Sequence, residues 1–142
     1  MNNLKITLLT IFGTLGSAIS SLMGGWDTSL TTLVIFMAVD FVTGLLVAGV
    51  FRQSEKTESG ALESRAGFKG LCRKGVILFV VLIACRLDVM IGTDIIRDGV
   101  VIAFIANEAI SIIENVGLMG IPLPNILIKS IEVLKNKSEK EG

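Results

Sequence analysis

The sequence predicts an all-α, polytopic integral membrane protein. It has about four transmembrane helices, both ends on the cytoplasmic side, and a short amphipathic C-terminal helix. Three observations carry this expectation. Composition is shifted toward lipid: the 142 residues are 51% hydrophobic and 18% charged, with a mean hydropathy of +0.75, against about 25% charged in ordinary soluble domains. Four apolar runs bounded by charge recur along the chain. Eleven of the 13 Lys and Arg residues fall on one side of the membrane if the N-terminus is inside, a strong positive-inside bias.

The spans are read as residues 6–24, 30–51, 75–91 and 99–119 of a single membrane domain, 1–142, with a cytoplasmic loop at 52–74 and a cytoplasmic tail at 120–142. At ~1.5 Å per residue each crosses or nearly crosses a ~30 Å hydrocarbon core. The first span is uncharged and rich in Gly and Ser. It lacks the strongly basic start of a secretory signal and is read as a membrane helix, crossing or lying at the surface. In it Gly13, Ser17, Ser21 and Gly25 recur every four residues, a small-residue seam that allows close helix approach. Gly44 and Ala48 repeat the spacing in the second span, which also carries Asp40. The third span is strongly apolar up to Arg86 and Asp88, and the fourth carries Glu108 and Glu114.

The loop begins polar and ends with Leu62, Phe68 and Leu71 interleaved with Arg65, Lys69, Arg73 and Lys74. That mixture fits an interfacial segment with cations on anionic lipid, or a plain basic loop that only sets topology. Gly60, Gly67 and Gly70 weaken any helix there. Beyond Pro122 and Pro124, which break the fourth span, Leu127, Ile131 and Leu134 share one helix face, and a short surface helix is expected to fade into a charged, solvated end.

Asp40, Arg86, Asp88, Glu108 and Glu114 lie within the spans. A charge at mid-membrane costs roughly 2.5–3.5 kcal/mol on insertion scales, so these groups must face protein, water or a partner charge. Arg86 is the expected partner for Asp40 or Glu108. On the fourth span Asn107, Glu108, Ser111, Glu114 and Asn115 fall within an arc of about 120°, opposite Ile102, Ala106, Ala109, Ile113 and Val116. Two readings of this stripe follow: it lines water shared between copies of the chain, or it packs inside a compact bundle.

Other function classes are disfavoured. The net charge is zero, so no overall basic excess draws the chain to nucleic acid. There is no His and no Tyr, and no recognisable nucleophile–base arrangement, so an enzyme is not expected. Cys72 and Cys85 have no ligand partners at metal spacing, and no catalytic, cofactor-binding or metal-binding residue is singled out.

Several segments have the pattern of a known family. Asp40-Phe41-Val42-Thr43-Gly44 resembles the acidic-aromatic-x-Thr-Gly element of the phage lysis and toxin-secretion holins (the clostridial toxin-release type). Ser64–Lys74 is similar to the family's Ser-x-x-Gly-x-x-Gly-x-x-basic-Lys stretch, and Asn107–Asn115 resembles its Asn-Glu-x-x-Ser-Ile-x-Glu-Asn signature. Gly120–Pro124 is similar to its Gly-x-Pro-x-Pro exit. The resemblance implies a phage-encoded multi-pass protein of the bacterial inner membrane. Its partners would be copies of itself and the lipid bilayer, with an endolysin or a secreted toxin as cargo, and its action would be host cell lysis through pore formation. The alternatives are a small ion or proton conductor using Asp40 and Glu108, or a regulator of a holin that forms no pore itself.

Overall fold

The computed structural model describes residues 2–141 as five helices, with no strand among them. They are α1 (Asn3–Leu22), α2 (Thr28–Gly49), α3 (Ser64–Ile91), α4 (Ile95–Leu118) and α5 (Asn125–Glu141). Helices α1, α2 and α4 are long and apolar enough to cross a membrane. Helix α3 is the longest, 28 residues, with an apolar stretch bracketed by Lys74 and by Arg86 and Asp88.

The turns have local causes. Gly24 and Gly25 take positive φ between α1 and α2, a backbone region that costs glycine little. Asp27 then caps α2, accepting a hydrogen bond from the Leu30 N–H at 2.8 Å. Gly92, at φ 81°, ends α3. Asp88, in the last turn of α3, reaches forward to accept from the Thr93 hydroxyl (2.6 Å) and from the Ile96 and Arg97 N–H groups (3.1 and 2.7 Å). It therefore satisfies the free amides at the start of α4, which explains an acid buried at this position.

Helix α4 is the axis of the bundle: α2, α3 and α5 all pack on it. The core joins Leu30, Leu33 and Met37 of α2 to Val81 of α3 and to Val101 and Ile105 of α4, with Met23 closing one end. Helix α1 stands apart. It buries no residue and packs only on α3.

Two sequence expectations are corrected. Residues 64–74 are not loop but the first three turns of α3. The glycines cost about 1 kcal/mol each, yet extending an existing apolar helix needs no new nucleus. The tail likewise does not fade: α5 stays helical to Glu141 and packs along α4, placing Leu134 against the core. The half-buried apolar face of α5, Ile128, Ile131 and Leu134, outweighs the weak helix propensity of its charged end.

At the end of the bundle holding the α1–α2 and α3–α4 turns, Arg97 is buried. Its Nε donates to the Met23 carbonyl (2.7 Å), and its terminal nitrogens donate to the Gly25 carbonyl (3.3 Å) and to both carboxylate oxygens of Asp27 (2.7 and 3.3 Å). That hydrogen bonding from Arg97, together with the Leu30 N–H, holds the Asp27 carboxyl below the usual aspartate range despite some desolvation. A lowered carboxylate pKa means that the pair stabilises the fold fully above pH ~4 and loses that contribution as the pH falls further. Asp27→Ala removes both the cap and the partner of Arg97. Its thermal midpoint in mild detergent should fall by the equivalent of about 1 kcal/mol or more, with a shallower acid-side decline than the parent. An unchanged midpoint would show that the clamp contributes nothing.

Candidate functional site: a buried polar cluster and an uncovered polar edge

Near the middle of α2 and α4 a buried ionic cluster forms. The Lys74 ammonium, from α3, donates to Asp40 Oδ2 at 2.7 Å and to Glu108 Oε2 at 2.6 Å. Asn115 Nδ2 donates to Asp40 Oδ1 (3.0 Å), the Asp40 carbonyl (3.3 Å) and the Thr43 hydroxyl oxygen (2.9 Å). The Thr43 hydroxyl in turn donates a hydrogen bond to the Val39 carbonyl (2.8 Å). Asp40, Glu108 and Asn115 are each about 95% buried, and no buried side-chain nitrogen or oxygen among the described residues lacks a partner. Gly44 lies beside Asn115, where an added Cβ would make ordinary contact.

Lys74 therefore takes the place expected for Arg86. The reason is distance along α3: Arg86 lies 12 residues farther on, about 18 Å at helical rise, and it is exposed. The expected stripe on α4 divides lengthwise. Glu108 and Asn115 turn into the bundle, Ser111 is half-buried, and Asn107 and Glu114 are exposed. Packing within one chain thus holds for one edge of the stripe and not for the other. Between Gly99 and Val116 the exposed residues are these two polar ones, so the apolar face of α4 is covered as well. The seams also differ: Ala48 is buried and Gly44 half-buried, whereas Gly13, Ser17 and Ser21 are exposed and Gly25 is half-buried.

Beside the ionic cluster is a cavity of about 540 Å³, bounded by α2, the 52–63 segment, α3 and α4. Its walls carry Asp40, Lys74, Glu108, Ser111, Glu114 and Asn115, and also Arg65, Lys69 and Arg73 from the first turns of α3. Sequence reasoning missed the Asp27–Arg97 clamp, of which only the Asp27 cap had a local signal. It also missed Thr43 as a partner of Asn115.

Three segments far apart in sequence thus meet at one point: Asp40–Gly44, the end of Ser64–Lys74, and Asn107–Asn115. These are the segments that carried the family resemblance. A profile of the bacteriophage holin family matches residues 17–136. The chain belongs to the bacteriophage holin family. Among its relatives, a Clostridium perfringens protein described as an uncharacterised 14.9 kDa protein is 35% identical, over 87% of this chain and 89% of that protein. An uncharacterised protein of Listeria monocytogenes is 37% identical, over 92% and 89%. A protein of Bacillus phage phi105 named a probable holin is 25% identical, over 79% and 78%. No solved structure matches this chain. As a holin-family chain it is a membrane protein of a class that is not enzymatic.

The cluster makes a direct prediction. Lys74→Met leaves two acids buried without their cation and should destabilise the detergent-solubilised protein by about 3–5 kcal/mol. The triple change Asp40→Asn, Lys74→Met, Glu108→Gln should recover most of that loss. Equal stability of Lys74→Met and the parent in chemical unfolding would contradict the ion-pair assignment.

Proposed function

We propose that this chain is a holin-like pore former. Copies associate in the bacterial inner membrane, each crossing it about four times with its N-terminus in the cytoplasm, while α5 returns along α4 and carries the C-terminus away from that face. They gather around shared water and open a path for an endolysin or a toxin, and the host lyses. The observation that carries this reading is the two-sidedness of the bundle. On one side α2 and α3 expose Ile35, Val39, Val42, Phe79 and Ile83, a surface suited to lipid. On the other, α4 exposes Asn107 and Glu114, and α5 runs beside it with Lys129, Glu132, Lys135 and Lys137 exposed among the apolar Ile126, Leu127 and Val133.

A helix so charged, lying along a membrane-crossing helix, cannot face hydrocarbon at roughly 2.5–3.5 kcal/mol per central charge. Water beside the α4–α5 side removes that cost, and several copies around one aqueous space provide it. Association also answers the exposed area of the single chain, 9612 Å², against roughly 7,100 Å² for a compact soluble monomer of this mass. Glu108 does not line the water in this reading, since Lys74 already compensates it. A proton relay through Asp40 and Glu108 would likewise have to work against that pairing.

The test is release from vesicles containing the purified full-length chain, loaded with a small dye and a protein-sized cargo. Both should escape at high protein-to-lipid ratio. Asn107→Leu with Glu114→Leu should slow escape by about tenfold, equivalent to about 1.4 kcal/mol, while leaving helix content unchanged. Intact vesicles would contradict pore formation, and dye loss with cargo retained would favour a small-ion conductor.

A further inference from the structure

The first turns of α3 carry a feature that pore formation does not use. Exposed apolar side chains run without a break from the membrane part of α3 past Lys74 toward its start: Ile83, Phe79, Val76, Leu71 and Phe68, with Phe68 69% exposed and Leu71 56%. At 100° per residue they share one face. Arg65, Lys69 and Arg73 follow at i, i+4 and i+8 along one flank of this ridge. All three are exposed, and none has an ion pair among the described residues. Lys74, tied to Asp40 and Glu108, is not part of the row.

Depth follows from counting. A crossing of about 20 residues that ends at Ile91 begins at Cys72. Leu71 and Phe68 then lie just outside the crossing, where acyl chains meet headgroups. Arg73 lies one residue inside it and Lys69 and Arg65 lie about 5 and 10 Å beyond it, so the row runs through the headgroup layer and Arg73 reaches the phosphates by its length.

We propose that the start of α3 is a seat for anionic phospholipid, with Arg65, Lys69 and Arg73 on headgroup phosphates and Phe68 and Leu71 among the upper acyl carbons. Charge complementarity selects the occupant. Three unpaired cations in a row attract anionic headgroups, and an exposed Phe68 beside them calls for a ligand that brings its own hydrocarbon. A soluble phosphate would cover the cations and leave Phe68 in water. The seat is read on α3 rather than on α4 or α5, although its three cations border the same cavity as Glu114, so lipid contact is measured separately from release.

The experiment uses the full-length chain with Trp26→Phe, which removes the sole tryptophan, and Phe68→Trp as reporter. It is reconstituted in mixed vesicles of phosphatidylglycerol and phosphatidylcholine, with bromine on the acyl chains of one lipid at a time. Brominated phosphatidylglycerol should quench the reporter more than brominated phosphatidylcholine at equal content. The enrichment of anionic lipid should be roughly fivefold per engaged cation. Arg65→Gln, Lys69→Gln and Arg73→Gln together should abolish the difference while quenching by either lipid persists. Arg65→Lys with Arg73→Lys should retain the difference. Equal quenching by the two lipids, a difference that survives the triple change, or no quenching by either would overturn the seat. Dye release measured on the same vesicles reports separately on the pore.

Discussion

An ionisable group on a helix that crosses lipid must meet a counter-charge or water, and the arrangement of this chain follows from how each one does so. Asp40 and Glu108 meet Lys74. Asp88 meets the free amides of α4, and Arg97 meets Asp27 and two carbonyls. These solutions lie inside the bundle and fix α4 among α2, α3 and the α1–α2 turn. Asn107, Glu114 and the charges of α5 have no such solution inside the chain. Most of what the fold cannot satisfy internally it leaves on the α4–α5 side; the exception is the exposed Arg86 of α3, five residues from the end of that helix, whose long side chain can reach the interface.

The internal cluster gives physical content to the family pattern. A threonine and a glycine one turn beyond an acid on α2 look unremarkable alone, but Thr43 accepts from Asn115 and Gly44 lies beside it. The asparagine closing the α4 signature serves Asp40, and the lysine closing the basic stretch before the third span serves both acids. Replacing such a cluster with well-packed apolar groups is often neutral for stability. Its contribution therefore lies in the register among the three helices as much as in cohesion.

The helices themselves were legible in the sequence because apolar runs of membrane length are a strong local signal, and the Asp27 cap and the Pro122–Pro124 break are local too. What escaped was set by tertiary geometry. Arg86 seemed the natural partner for the buried acids because it lies within a span. In the sequence Lys74 reads as the last residue of a basic loop because the apolar run of the third span begins at Gly75. Once α3 begins at Ser64, Lys74 lies at the depth of Asp40 and Glu108, and Arg86 is carried about 18 Å away. The return of α5 onto α4 was equally invisible: its periodicity marks an apolar face without naming what covers it. The polar stripe on α4 was legible as a stripe, but only packing could divide it into a paired edge and an uncovered one.

The central claim is that the α4–α5 side of each copy meets water while the α2–α3 side meets lipid. The most direct measurement is the accessibility of single spin labels in reconstituted bilayers, placed at positions 107 and 135 on one side and 79 on the other, to oxygen (which concentrates in lipid) and to a water-soluble nickel chelate. The account predicts that the labels at 107 and 135 collide chiefly with the chelate, and that the label at 79 collides chiefly with oxygen. Oxygen dominance at 107 would contradict it, because α4 would then turn its polar edge to hydrocarbon.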